Sequence, residues 1–249
     1  MLFFIFYIRK KCKFIFVCRK KSVILHQRYE FDVTKHTKVQ AEKIRQVWQS
    51  IPAQLARENK KFIFGAVRKG ARAATFEEAI QWLVDAGLVY KVERISKPGM
   101  PLKFYADNSA FKLYVLDCGL LACMSEANPN QMLLGMNAFT EFKGSLTENF
   151  VIQQLKASGC QSAYYYSKDN STMEVDFLFQ AAERVVPVEA KAEDNVKSHS
   201  LSNFVQNDFA QMNLKGLRMS MKPYIDQGWM ENIPLYSTEA YVKNQIKHQ

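Results

Sequence analysis

The sequence predicts an α/β chain, of the α+β kind, in which helices and strands form two successive domains. Apolar residues make up 48% of the 249 residues and aromatic residues 13%, which is enough for a hydrophobic core. Several segments have the apolar periodicity of amphipathic helices, and others alternate as strands do between turn residues. We therefore expect a leader over 1–27, a first domain over 28–134 and a second domain over 135–249.

The leader over 1–27 is basic and apolar, and we expect it to lie outside the fold. Residues 1–28 hold eight of the 34 Lys and Arg residues and no acid, so the other 26 basic residues face 24 acidic ones. Its apolar runs are shorter than the roughly 20 residues that span a bilayer, and its charges follow the first run, unlike those of a signal peptide. We expect no membrane partner, and an interfacial anchor is the alternative. Our hypothesis is a remnant of a truncated or frame-shifted reading frame.

Several classes of site lack their sequence signals. The five cysteines form no CxxC motif, and the four histidines have no metal-ligand spacing, so neither a disulfide framework nor a zinc site is indicated. Reduced thiols fit a cytoplasmic location. The chain has neither GxxxxGK[ST] nor GxGxxG, so we expect no ATP site in it.

The first domain should begin with helices. Residues 37–58 predict two helices with a break at Ile51-Pro52, because the residue before a proline is pushed out of the helical region. Residues 62–64 predict a short strand. The next helix should have Thr75 and Glu78 as a capping box and Gly87 at its C-cap. Its buried stripe is predicted to be Ala79, Ile80, Leu83 and Val84.

A two-stranded ribbon should follow those helices. Residues 88–95 and 102–106 predict its strands, 96–101 predicts the turn, and 111–125 predicts a strand that runs into a helix. Helices followed by such a ribbon are typical of a winged helix, whose third helix often binds the major groove of DNA. That helix is acidic here, so packing against protein remains an alternative to DNA recognition.

The second domain should run helix, strand, hairpin, helix, strand. Glu148 lies one turn into its first helix, where a buried glutamate is unusual unless it is paired or binds a metal. The predicted elements are a helix of about 12 residues within 144–159, a strand over 163–167, a hairpin with arms 174–179 and 185–192, a helix over 200–210 and short strands at 217–219 and 233–236.

The hairpin carries three charged residues on strands that otherwise look buried. Glu189 and Lys191 share one strand face, about 7 Å apart, because side chains alternate with a period of two. Asp176 lies on the other arm, opposite in face to Phe177. If the arms pair antiparallel, both carboxylates and the lysine converge at one end. The alternative is a solvent-facing Glu–Lys pair of little energetic value.

This arrangement resembles the core of the PD-(D/E)xK nuclease superfamily, which implies a restriction-endonuclease-like mixed sheet flanked by helices. The resemblance implies that Asp176, Glu189 and Lys191 are catalytic, and that Glu148, Asp176 and Glu189 hold Mg2+. Carboxylate oxygens suit that cation, and a bound Mg2+ would neutralise phosphate charge and acidify a water molecule. The lysine would steady the transition state.

Longer segments are similar to the domain-of-unknown-function 4143 family. They include ATFEEAIQWLVDAGLVYKV, GSLTENFVIQQL, MEVDFLF and VPVEAKA, and the resemblance extends over nearly everything from residue 28 on. It implies the C-terminal part of a prokaryotic AAA-type ATPase, with an N-terminal ATPase missing from this chain.

Two functions therefore compete. One is a metal-dependent nuclease, and the other is a non-catalytic module that binds nucleic acid or protein and is driven by the ATPase. The preserved charged residues favour the first, and the nearly neutral body favours the second, because a nuclease needs a basic track along phosphates. The expected partners are nucleic acid, an ATPase or another copy of the chain. An inactive truncated fragment is the third hypothesis.

Overall fold

The computed structural model describes residues 38–127, 140–168, 173–192 and 198–247. Its chain divides into two compact units. One comprises Met1–Lys91 with Lys112–Leu146, and the other comprises Val92–Phe111 with Thr147–Gln249. The predicted leader over 1–27 and the predicted boundary between 134 and 135 both lie outside the described residues. They therefore stay predictions.

Seven α-helices and eight strands occur within the described ranges. The helices are α1 Lys38–Leu55, α2 Phe64–Val67, α3 Ala73–Asp85, α4 Cys118–Met124, α5 Thr140–Ala157, α6 His199–Ser202 and α7 Thr238–Lys247. The strands are β1 Val89–Ile95, β2 Ala106–Val115, β3 Ala163–Ser167, β4 Glu174–Ala181, β5 Arg184–Ala190, β6 Gly216–Ser220, β7 Ile225–Asp226 and β8 Met230–Pro234.

The strands form one mixed sheet in the order β2-β1-β3-β4-β5-β6-β8-β7. The β1–β3, β5–β6 and β6–β8 pairs are parallel, and the β3–β4, β4–β5 and β7–β8 pairs are antiparallel. This confirms the predicted mixed α/β class. The winged-helix and PD-(D/E)xK assignments are finer than this sheet and remain predictions.

The predicted break at Ile51-Pro52 is wrong, because α1 continues through Pro52 as a single helix. Proline removes one backbone donor and disfavours the helical conformation before it. However, Ile51 and Leu55 on either side are each 1% exposed. Burial of this apolar face, where α1 packs against α3, outweighs the local preference of the proline.

The strand predicted over 62–64 is also wrong. Residues 60–63 have no regular structure, and Phe64 begins the short helix α2. The backbone N–H of Ile63 donates to Gln54 Oε1 at 2.7 Å. The buried Gln54 side chain of α1 therefore accepts the hydrogen bond that a neighbouring strand would have accepted.

Helix α3 starts earlier than predicted but ends where expected. Its N-cap is Arg72, so Thr75 and Glu78 lie inside the helix and form no capping box. Phe76 replaces Val84 among its buried residues. Gly87 adopts φ +69° just beyond the helix, as predicted. The N–H groups of residues 87 and 88 donate to the carbonyls of residues 84 and 83, which is a Schellman motif.

The first strand of the ribbon is confirmed as β1, but the returning strand differs. Residues 102–105 form a 3-10 turn, and β2 then runs without interruption over Ala106–Val115. The prediction divided this single strand between 102–106 and the segment that starts at residue 111. The following helix is confirmed as α4, capped by the Asp117 side chain, which accepts from the N–H groups of Gly119 and Leu120.

In the second unit, the strand over 163–167 and the hairpin are confirmed as β3, β4 and β5. Helix α5 is longer than predicted because it begins at Thr140. The helix predicted over 200–210 is instead the short α6 followed by a π-helical turn over Asn203–Asp208. The predicted pieces at 217–219 and 233–236 correspond to β6 and β8, although residues 235–237 form a 3-10 turn. Neither β7 nor α7 was predicted.

The apolar core of the second unit packs α6 and the turn after it onto the sheet. Tyr166 and Phe204 meet edge to face with ring centroids 4.9 Å apart. The buried members of this core are Ile95, Leu102, Tyr164, Tyr166, Val175, Leu178, Val185, Leu201, Phe204, Val205 and Met230. None of the helices in the described part of the chain is long and apolar enough to cross a membrane.

Two glycines, one inside α5 and one just beyond its end, allow a matched stability test. Gly159 follows the helix at φ +91°, whereas Gly144 lies inside it with open space where a Cβ would stand. We expect Gly159→Ala to lower the free energy of unfolding by about 1 kcal/mol, because a left-handed conformation strains an L-residue. Gly144→Ala should raise it by about 1 kcal/mol, because alanine favours helices. Urea unfolding measures both, and equal effects of one sign would contradict this description.

Candidate functional site

The β4–β5 hairpin fixes the positions of the predicted site residues. Phe177 pairs with Val188 and Phe179 with Val186, and residues 182 and 183 form the turn. Extending this antiparallel register by one position sets Asp176 opposite Glu189. Residues opposite one another share a face with Cβ atoms about 5 Å apart. The charged residues therefore converge at the end of the hairpin away from its turn.

Asp176 replaces backbone pairing at that end. Its Oδ2 accepts from the backbone N–H of Ala190 at 2.8 Å. On the other side of β5, the N–H of Lys191 donates to the carbonyl of Met219 at 2.9 Å. The end of β5 is thus held by a side chain of β4 and by the backbone of β6. This anchors the segment that carries Glu189 and Lys191.

Glu189 and Lys191 form an ion pair whose two members differ in exposure. Glu189 Oε1 lies 2.9 Å from Lys191 Nζ, and the two side chains are 6% and 34% exposed, respectively. The alternative of a solvent-facing pair is therefore wrong for Glu189, because its side chain is buried. Among the residues that the structure describes, the buried Glu189 Oε2 has no hydrogen-bond partner. A carboxylate removed from water in this way needs further compensating charge.

Glu148 joins the same cluster from α5, where it is only 6% exposed. Burial by itself lowers the pKa of Lys191. The attraction of Glu189 and its hydrogen bond, with smaller attractions from Asp176 and Glu148, outweigh this and raise the pKa above its usual value. All three predicted acidic residues therefore act electrostatically on one ammonium group.

A further charged residue, Arg218 on β6, was missed by the sequence argument. It pairs with Glu189 in the parallel register, and it also pairs with Asn232 of β8. Arg218 is 4% exposed and donates from Nε to Asn232 Oδ1 at 2.8 Å and from Nη1 to Ser198 Oγ at 3.3 Å. Burial lowers its pKa, and the charge of Glu189 opposes that shift. The available signal was a lone arginine inside the apolar run GLRMS.

The paired positions form a polar row across one face of four strands. From β4 to β8 this row, which we call the polar row, comprises Asp176, Glu189, Arg218 and Asn232. Asn232 is fully buried, accepts from Ser220 Oγ at 2.7 Å and donates to the carbonyls of residues 222 and 223. These bonds fix the amide that orients Arg218, and Arg218 in turn lies beside Glu189.

The predicted metal ligands belong to one charged cluster, but they do not form a complete set of metal ligands. Within the described ranges, no three His, Cys, Asp or Glu side chains are placed as a ready set of metal ligands. Mg2+ does not require such a set, because it is often held by one or two carboxylates together with water and substrate oxygens. Chemically, the cluster places three acidic side chains around one partly exposed Lys191 ammonium group.

The Glu189–Lys191 pair should show up as a coupling free energy. In EDTA at pH 7, Lys191→Met should lower the free energy of unfolding by about 1–2 kcal/mol. This loss is smaller than for a fully buried pair, because Lys191 is partly exposed. The same substitution should lower the free energy of unfolding by less in a Glu189→Gln background, because no buried carboxylate then loses its cation. The raised Lys191 pKa means that the coupling persists below the ordinary lysine value and is lost only as pH rises through the raised one.

The matched control is the surface pair Lys243–Glu239, whose side chains are 42% and 47% exposed. Its double-mutant cycle should give at most about 0.5 kcal/mol. Urea unfolding of the four variants in each cycle supplies the data. Strictly additive losses at Glu189 and Lys191 would show that the pair does not act as a unit.

Comparison with known families divides the chain into two matches. Residues 143–236 match the family described as Domain of unknown function (DUF4143), and residues 19–131 match the one described as Domain of unknown function (DUF8612). The resemblance to the first family is therefore supported for the second part of the chain and not from residue 28 on. No curated protein and no solved structure matches the chain. Residues 19–131 and 143–236 are thus similar to these two families, and the second match contains the whole charged cluster.

Proposed function

We propose that the DUF4143 domain is a divalent-metal-dependent hydrolase of phosphodiester bonds in nucleic acid, with a PD-(D/E)xK-like site. The observation that supports this most strongly is the carboxylate of Glu189. One of its oxygens is paired with Lys191, and the other is buried and finds no hydrogen-bond partner within the described ranges. Structural ion pairs normally satisfy both oxygens, because an unpaired buried acceptor is costly.

Three features of the cluster support a hard divalent cation as its ligand. The unpartnered Glu189 Oε2 supplies an oxygen ligand, and Asp176 is the carboxylate opposite it in the register. Glu148 is the third acid whose charge reaches the cluster. When bound, Mg2+ would neutralise phosphate charge and make a water molecule more acidic. As ionised groups, the three acids with Lys191 and Arg218 leave one negative charge in excess, which favours binding a cation.

The side chains of the chain have distinct roles in this proposal. Lys191 remains protonated at neutral pH, because its pKa is raised, and its partly exposed ammonium donates to a phosphate oxygen. Asp176 orients the end of β5 through the Ala190 N–H. Arg218 is a positioning residue, since it is buried beside Glu189 and is fixed by Asn232. Preorganised charges of this kind need little reorganisation during reaction.

The second candidate is a non-catalytic module of an AAA-type ATPase that binds nucleic acid or protein. Two observations favour it. The described residues supply no three ligands already arranged for a metal, and the chain after residue 28 is nearly neutral. In this case the Glu189–Lys191 pair would be a structural element of a nuclease-like fold, since a fold alone does not determine an activity.

Cleavage assays of the full chain separate the two candidates. With Mg2+ or Mn2+, the chain should cut at least one of three labelled substrates, which are single-stranded DNA, duplex DNA and RNA. Asp176→Asn, Glu189→Gln and Lys191→Met should each lower that rate by about a hundredfold. The control Glu239→Gln alters an acid of a surface pair and should leave the rate unchanged.

The metal-dependent proposal fails if no substrate is cut, or if the cutting activity survives all three site substitutions at the wild-type rate. The second result would identify a contaminating nuclease. Binding of nucleic acid without cleavage would favour the non-catalytic module.

A further inference from the structure

The turn between β1 and β2 presents an exposed aromatic and basic surface that the charged cluster does not use. Phe104 is 83% exposed, more than any other large hydrophobic residue in the described part of the chain, and Met100 is 43% exposed. Lys97 and Lys103 on the same turn are also exposed. We call Lys97, Met100, Lys103, Phe104 and Tyr105 the ribbon-tip surface.

The aromatic rings of this surface are arranged by contacts within the turn. Phe104 and Tyr105 meet edge to face with centroids 5.7 Å apart. The Lys97 Nζ lies 4.7 Å from the centroid of the Tyr105 ring. Such a geometry attracts the lysine ammonium group to the aromatic face and restricts the motion of the side chain. Two rings and an ammonium group are therefore presented together.

The backbone of the turn is also held in place. Leu102 is 2% exposed and belongs to the apolar core of the second unit. Gly99 lies against the Tyr105 ring so closely that an added Cβ would stand 2.3 Å from a ring carbon. The N–H of Ser96 donates to the carbonyl of Tyr105 at 3.0 Å, which closes the turn. An exposed phenylalanine on an anchored turn loses little conformational freedom on binding, which favours recognition.

The charge of the turn indicates the chemistry of its partner. Residues 95–106 contain two lysines and no acid. The nearest following acid, Asp107, forms an ion pair with Arg94 at 2.7 Å, and its pKa is lowered by the hydrogen bond from Ser109 and by Arg94. The positive charge at the tip is therefore not cancelled by the turn itself. It is complementary to a polyanion.

We propose that the ribbon-tip surface binds single-stranded nucleic acid, with an unstacked base on Phe104 and backbone phosphates at Lys97 and Lys103. Aromatic stacking combined with lysine contacts is the general means by which proteins hold single strands without sequence preference. A duplex offers no free base face to an exposed ring. A protein partner would use the apolar area of Met100 and Phe104 but would not require unpaired bases.

This inference deepens the proposed function, since it names the strand form that the domain would hold. It rests on different residues, so it can fail or succeed separately. Binding is measured in EDTA, where Glu239→Gln, which lies outside both the charged cluster and the ribbon-tip surface, should leave the affinity for a strand unchanged. A chain that binds single strands through Phe104 but never cleaves them would refute the hydrolase and retain this surface.

The experiment is fluorescence anisotropy of the full chain with a labelled oligothymidylate. All variants keep the basic leader over 1–27, so its background contribution is common to them. Phe104→Ala should weaken binding about tenfold, and Phe104→Trp should restore it. Lys97→Gln and Lys103→Gln should each reduce the slope of log affinity against log salt by about 0.7.

Three controls make the result specific to stacking. Tyr236→Ala removes another exposed ring, 60% exposed, and should have no effect. An abasic oligomer should bind wild type and Phe104→Ala equally, and circular dichroism should show both folded. The proposal is overturned if Phe104→Ala binds oligothymidylate like wild type, or if its defect is the same with the abasic oligomer.

Discussion

The constraint on which the rest of the second unit depends is the buried carboxylate of Glu189. A charge removed from water is destabilising unless cations and hydrogen bonds surround it. Here Lys191 approaches one oxygen and Arg218 lies beside it on the next strand. Asn232 and Ser198 then orient Arg218. The strand order β4-β5-β6-β8 places these groups in one row. The sheet topology therefore determines which charged groups meet at the site.

That arrangement is difficult to explain by stability alone. An apolar residue at position 189 would suit the core as well as the neighbouring Val186 and Val188 do, and replacing buried ion pairs by apolar groups often stabilises proteins. Glu189 Oε2, which has no hydrogen-bond partner in the described part of the chain, adds a further cost. The proposed site, which would bind a cation and an anionic substrate, would account for retaining such a group, because functional sites frequently keep locally unfavourable charges.

The sequence predicted what depends on local patterns and missed what depends on tertiary contacts. Alternation in 174–192 predicted the hairpin and placed Asp176, Glu189 and Lys191 at one end, and Gly87 predicted the end of α3. Pro52 misled, because burial of Ile51 and Leu55 overrides the local effect of proline. Arg218 was missed because its relation to Glu189 exists only through the parallel pairing of β5 with β6. Its role is a property of the sheet and has no local signature.

The central claim is that the charged cluster binds a divalent cation, and calorimetry with Mn2+ tests it most directly. Titration of the full chain should show a single site in wild type and no binding at that site in Glu189→Gln. Asp176→Asn should weaken it strongly, and Glu239→Gln should match wild type. In a parallel titration with diamagnetic Mg2+, the Lys191 ε-carbon resonance should shift, because Lys191 pairs with Glu189. Mn2+ binding that is the same in wild type and Glu189→Gln, or absent from wild type, would contradict the account.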